Sequence, residues 1–388
     1  MRLFDNVKRA DSSPASHAES TFAFLNRVEG SAWQEVREKL EEYFDAFPTD
    51  GRGDLRSRFR SNDRRQHVPA WWELYVSSLL QKLGWTVSVH PLVSNSSHRP
   101  DFLARRDGEA VYVEAAAVMD SGLVGEEDVT SIREGWIFDI TNECESSDFH
   151  LQLEIVAHGE RRPAKKEILQ PLRSWLGGLD ADVVTGAISE GCEVPALSIS
   201  AAGWDLVYRA HPVPAEHRGR PGRVLGLYPV KGGQVDDETP LRKAVRKKSK
   251  RYGELDHPLM VAVLMAGLFA GDRDADGALY GSLAVRYVEG VTDSPTWFRQ
   301  RDGVFAVEGS ARDKCSAVMI GNAISPWNHH VEVPRLWENP WAKRALCDMQ
   351  LPRFSCDDYG RLLPADNVDA EHFRHFGLGA AWPGFASS

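Results

Sequence analysis

The chain has 388 residues, 42% of them hydrophobic and 12 of them Trp, so it can bury a large core and is long enough for two or three domains or one elaborated domain. Its net charge of −10 excludes a globally basic nucleic-acid binder and leaves only a local basic surface for that purpose. No apolar run reaches the roughly 18 residues of a membrane span, and the five cysteines (Cys144, Cys192, Cys315, Cys347 and Cys356) are odd in number with no C-x-x-C pair, which argues against a disulfide framework or a cysteine zinc site.

The first 20 residues are polar and charged, with no apolar signal region, so a frayed arm and a cytoplasmic protein are expected. From Thr21 to Phe47 the apolar positions step by three and four, which predicts helix. An Arg-rich loop follows over 51–65, and Pro69 is placed to open the next helix, closed by Gly84. That helix carries Trp72, Val76, Leu79, Leu80 and Leu83 on one face, with Glu73 beside them. "WTVSVHP" alternates as a strand, and a strand begins at Asp101. Asp107-Gly108 marks a tight turn, and "AVYVEAAAV" reads as a return strand covered on both faces.

Beyond Val118 the pattern gives helices over 129–145 and about 163–177, and strands near 149–155, 195–200, 204–210 and 224–229. A further helix is expected over 239–252, then a buried strand in "PLMVAVLMAG". The remainder reads as short strands among Trp- and Pro-rich loops, with His329 and His330 on a surface loop. Trp71 and Trp72 read as core, and Trp327 and Trp341 as loop anchors or base-stacking groups. No nucleophile-elbow motif surrounds Cys315.

"RPDFLARRDGEAVYVEAAAV" concentrates the chemistry. Asp101 at the head of one strand and Glu114 on its hairpin partner can converge on one divalent cation, with the Ala115 carbonyl as a third oxygen. Mg²⁺ (or Mn²⁺) held this way suits phosphodiester hydrolysis, in which the metal binds the attacking water and offsets phosphate charge. Glu73 would add a further carboxylate. A nearby lysine would orient or deprotonate the water.

Pro100-Asp101, Glu114 and the preceding helix with Glu73 resemble the PD-(D/E)XK superfamily, the restriction-endonuclease-like nucleases, over roughly residues 69–118. The resemblance implies an α/β core of helix, three strands, helix and strand, cutting DNA with Mg²⁺ or Mn²⁺. It also implies a lysine where this chain has Ala116. One exonuclease group of the superfamily carries Q-x-x-x-Y on the helix after the third strand; here "KKSKRY" places Lys248 four residues before Tyr252. Lys248 is therefore the candidate for the missing lysine's role.

On this reading residues 1–66 are an N-terminal helical and Arg-rich region, 67–118 and 239–270 the two parts of the core, 119–238 an α+β insertion, and 271–388 a mixed C-terminal region. The catalytic set is Glu73, Asp101, Glu114 and Lys248. Arg56, Arg58, Arg60, Lys247, Lys250 and Tyr252 would hold nucleic acid, DNA above all. The insertion and the C-terminal region leave room for a protein partner that the residues do not identify. Ala116 keeps a second reading open, a catalytically inactive nuclease fold serving as a nucleic-acid- or protein-binding module. The two readings differ in where Lys248 lies, beside the carboxylates or on the far side of its helix. If the pattern is accidental, Asp101 and Glu114 should lie apart or face opposite sides of their strands.

Overall fold

The computed structural model describes residues 1–384 apart from 18, 95, 120–126, 220–221, 228–237, 267–270, 287–295, 306–313, 358–361 and 367–374. It is mixed α/β and divides into two compact units, one of residues 1–13, 20–124 and 235–388, the other of 14–19 and 125–234.

The first unit opens with α1 (Thr21–Arg27) and α2 (Ser31–Ala46). The continuous helical periodicity over this stretch is broken at Gly30, whose φ of 125° lies outside the helical region. The Arg-rich segment, expected as a loop, contains α3 (Arg52–Phe59), with Leu55 and Phe59 buried beneath it. α4 spans Arg64–Lys82, so Pro69 lies inside the helix rather than at its start; the side chain of Asp63 caps it by accepting from the Arg65 amide. Gly84 follows with φ 84°, a conformation that favours glycine, and turns the chain into β1 (Thr86–Val89), β2 (Phe102–Arg106) and β3 (Glu109–Val118), paired antiparallel.

The second unit contains α5 (Glu127–Thr141), β4 (Glu145–Ser146), β5 (Phe149–Ala157), α6 (Lys165–Gly177), α7 (Ala181–Ser189), β6 (Ala196–Ala201), β7 (Trp204–Pro212), β8 (Gly222–Arg223) and β9 (Leu225–Leu227). Its main sheet runs β6-β7-β5-β9, around a core of its own that includes Leu151, Leu172, Trp204 and Tyr208. The clean alternation of "FHLQLEIVA" becomes β5, with Phe149, Leu151 and Leu153 buried.

The chain then returns to the first unit with α8 (Glu238–Ser249), β10 (Leu259–Met265), α9 (Asp272–Tyr280), β11 (Leu283–Arg286), β12 (Thr296–Arg299), β13 (Ala317–Asn322), β14 (Arg335–Glu338), β15 (Arg353–Cys356) and β16 (Leu362–Asp366). β10 lies parallel to β3 on one side and to β13 on the other, in an eight-stranded sheet ordered β1-β2-β3-β10-β13-β14-β15-β16. The C-terminal region thus extends the same sheet that holds Asp101 and Glu114.

Strand alternation assigns the two faces of this sheet. Val111, Val113, Ala115, Ala262 and Met319 point toward the N-terminal helices. Val118, Val261, Val263 and Ile320 point toward α8 and α9. Trp71 and Trp72 are buried on the first face, where their indole N–H groups donate to the carbonyls of Ile324 and Ala262 at 3.1 and 2.9 Å. Gly321 makes this approach possible, because a Cβ there would lie 2.6 Å from the Trp72 ring. His329 and His330 are also buried. His329 meets the Tyr43 hydroxyl at 2.8 Å, which corrects their expected place on a surface loop.

Candidate functional site

The hairpin register fixes the geometry of the carboxylates. Phe102 pairs with Val113, so the next pair outward is Asp101 and Glu114, facing the same side of the sheet. The side chains interlock through the backbone as well. The Asp101 amide donates to Glu114 Oε2 at 3.2 Å, and the Ala115 amide donates to Asp101 Oδ2 at 2.7 Å. Within an extended strand the N–H and C=O of one residue point to the same side. The Ala115 carbonyl therefore faces the Asp101 side, beyond the start of β2, where no strand partner claims it in the β2–β3 ladder.

α8 packs over this face through Leu241, Ala244 and Val245. That places Lys248 against the carboxylates: its Nζ donates to Glu114 Oε1 at 2.7 Å and lies 3.8 Å from Asp101 Oδ2. The helix ends at Ser249, three residues short of the expected 252. Tyr252 nonetheless reaches the site through the following turn, and its hydroxyl donates to Glu114 Oε2 at 2.5 Å. Tyr252 is buried, so it is a partner of Glu114 rather than the expected nucleic-acid contact. Burial and Glu114 together push its phenol above the usual range, which keeps it a neutral donor.

Glu114 is only 1% exposed and is satisfied by several donors. Arg251, which the sequence did not single out, is one of them, at 3.4 Å from Oε1. The only signal for it is its position three residues after Lys248. Asp101 is a perturbed acid. Burial and the charge of Glu114 push it up to about 7, against the opposing effect of Lys248.

Ala116 lies two residues beyond Glu114 on the same strand, hence on the same face. It is half-buried against the cluster formed with α8. Lys248 thus enters, from the helix, the side of the sheet on which a lysine at 116 would stand.

Glu73 is near enough to Asp101 to raise its carboxyl. It is held by Arg58, whose guanidinium donates to both Glu73 oxygens at 2.8 and 2.6 Å. Arg58 also pairs with Asp54. Arg56 and Arg60 are likewise engaged within the chain. Arg56 donates to the Arg2 carbonyl, and Arg60 to the Leu3 carbonyl and Asp5, with its guanidinium over the Phe22 ring. The structure therefore does not deliver Arg56, Arg58 and Arg60 as a phosphate-binding surface; they fasten the N-terminal segment to α3 and α4. Lys243 and Lys247 are exposed on α8, and Lys250 is exposed just past its end. Trp327 is half-buried and packs edge-on against Trp33, and the Cys315 thiol is buried and pushed up to about 12, out of the range of a reactive thiolate.

Among the described residues no three His, Cys, Asp or Glu side chains cluster so as to hold a metal ion. Asp101, Glu114 and the Ala115 carbonyl still suit Mg²⁺ or Mn²⁺, because such hard cations take oxygen donors and need few protein carboxylates. The same set is a poor fit for zinc, which favours nitrogen and sulfur. Comparison with protein-family models, curated proteins and solved structures found no match.

Proposed function

We propose that the first unit is a divergent restriction-endonuclease-like core and that the protein is a Mg²⁺- or Mn²⁺-dependent nuclease acting on DNA, with a place in bacterial defence or DNA processing. The observation that carries this reading is the meeting of Asp101, Glu114 and Lys248 on one face of the sheet. Asp101, Glu114 and the Ala115 carbonyl would hold the metal, which when bound supplies Lewis acidity and an activated water. Lys248 supplies a positive charge at the carboxylate pair, placed to orient the water or to offset charge on the phosphate in the transition state. Tyr252 and Arg251 fix the Glu114 carboxylate, so its orientation does not depend on the metal alone. Glu73, clamped by Arg58, adds negative charge near Asp101.

A second reading rests on the density of donors around Glu114. Lys248, Arg251, Tyr252 and the Asp101 amide together satisfy a buried carboxylate with no metal, as in a nuclease fold retained for binding.

Cleavage of supercoiled and linear DNA in Mg²⁺ or Mn²⁺ separates the two. Cutting by the wild type, lost in folded Asp101→Ala and Glu114→Gln variants, supports the enzyme. DNA binding with steep salt dependence and no cutting in either metal supports the binding module.

A further inference from the structure

The two oxygens of Glu114 are held differently. Oε2 accepts from neutral donors, the Tyr252 hydroxyl at 2.5 Å and the Asp101 amide at 3.2 Å. Among the described residues Oε1 meets only cations, the Lys248 ammonium at 2.7 Å and the Arg251 guanidinium at 3.4 Å. The carboxylate is thus anchored through one oxygen and filled by cations at the other. The Lys248 ammonium also lies 3.8 Å from Asp101 Oδ2, so one positive charge stands against both carboxylates. The oxygens it faces belong to the two side chains that would hold the metal.

The ammonium has an electrostatic task of its own. The charge of Glu114 opposes ionisation of Asp101, and Lys248 counters that effect. A buried carboxylate stays ionised only beside a compensating charge or a set of donors. With no divalent ion bound, the closest cation to Glu114 is Lys248. It is not sealed in. The side chains of Lys248 and Asp101 are 19% and 20% exposed, against 1% for Glu114, so this edge of the site opens to solvent. A lysine's flexible four-carbon stem lets its head group withdraw toward water.

We propose that Lys248 is the resident cation of this site, and that its ammonium and the divalent ion exclude each other at Glu114 Oε1 and Asp101 Oδ2. Without metal, Lys248 holds the two carboxylates together. Metal binding releases the ammonium, and only then is it available to the attacking water or the phosphate. The lysine's charge is thereby delivered to the substrate together with the metal. This rests on the nuclease reading for the identity of the metal ligands, and it is read out by metal affinity with no DNA present.

The test is calorimetric titration with Mn²⁺ of wild type, Lys248→Met, Lys248→Arg, Lys243→Met and Asp101→Asn. Thermal unfolding in chelator and in saturating Mn²⁺ is recorded beside it, and DNA cleavage is measured in parallel. Two ligands that compete for the same oxygens are coupled, and the coupling is reciprocal, so Lys248→Met should bind Mn²⁺ about tenfold more tightly than wild type. Lys248→Arg keeps the charge and should bind no more tightly than wild type. Lys243→Met removes one exposed charge from the same helix and should bind as wild type does. Asp101→Asn should lose the binding, which places the signal at this site. In chelator Lys248→Met should unfold at a lower temperature than wild type, and Mn²⁺ should raise its midpoint by more. If that variant does not fold, Lys248→Gln, which keeps a neutral donor, carries the same comparison. Mn²⁺ binding by the neutral variant no tighter than by wild type, or an equal gain in Lys243→Met, overturns the inference whether or not the wild type cuts DNA. Tighter binding by Lys248→Met in a protein that never cuts supports the inference while the nuclease reading fails.

Discussion

Lys248 and Glu114 stand 134 positions apart in the chain, yet their charged atoms lie 2.7 Å apart. The approach follows from topology. β10 lies parallel to β3, and a crossover to a parallel strand carries its helix over one face of the sheet. α8 occupies the face on which Glu114 and Asp101 stand, so its last turn arrives at the carboxylates. A lysine on this helix therefore reaches the carboxylates although the strand itself carries Ala116.

The raised acid at this site has a consequence for stability. Burial and Glu114 hold Asp101 up to about 7 in the folded chain, above its usual value of 3.8. Between those values the folded state keeps a proton that the unfolded state releases, so stability falls as pH rises through the window. Asp101→Asn removes the charge. It is expected to stabilise the protein at pH 8 by on the order of 2 kcal/mol and to lose that advantage near pH 4, as read from urea midpoints. An Asn variant equally stabilised at both ends would show that the effect is not the carboxylate's ionisation.

His67 produces the opposite slope. It is buried, with Nδ1 2.5 Å from the Phe59 carbonyl, and burial lowers it to about 4. From its ordinary 6.5 down to that value the unfolded state binds the proton and the folded state does not. Stability is therefore lost as pH falls, by at most about 3 kcal/mol. His67→Asn should flatten the decline between pH 7 and pH 4.5; an unchanged decline would assign acid sensitivity elsewhere.

The two basic segments should behave differently under mutation. Arg58→Ala strands the Glu73 carboxylate, which its side chain leaves only 13% exposed, and is expected to cost about 1–3 kcal/mol of stability with no change in the salt dependence of DNA binding. Lys247→Ala and Lys250→Ala should leave stability within about 0.5 kcal/mol and each lower the slope of log affinity against log salt by about 1. A salt slope that responds to Arg58 instead would return the Arg-rich segment to the nucleic-acid surface.

The local parts of this site were legible in the sequence. The Asp-Gly turn sets the hairpin register, and the register alone makes Asp101 and Glu114 opposite neighbours. Lys248 could be named because apolar spacing marks α8 and a Tyr stands four residues on. What the sequence hid were long-range pairings. Arg58 finds Glu73 on another helix, and Arg60 finds Asp5, so a run of arginines that reads as a phosphate surface becomes internal clamps. Tyr252 reads as a nucleic-acid contact because the end of α8 and the turn that buries it against Glu114 are set by tertiary contacts. The C-terminal strands β14 and β15 have four residues each, too few for a clear alternation, and join the main sheet only through distant partners. α9 was missed because "DRDADGALY" combines helix-breaking Gly277 with a dense acidic first turn, and only its buried side against α8 reveals it.

The most direct measurement is DNA cleavage in Mg²⁺ by wild type, Lys248→Ala, and the double variant Lys248→Ala/Ala116→Lys, each checked for folding. Ala116 stands on the Glu114 face with α8 above it, so a lysine there can reach the carboxylates once Lys248 is gone. The account predicts cutting by the wild type, a loss of about 10²–10⁴-fold in Lys248→Ala, and partial recovery in the double variant. Cutting that survives Lys248→Ala at the wild-type rate, or a wild type that never cuts, would contradict it.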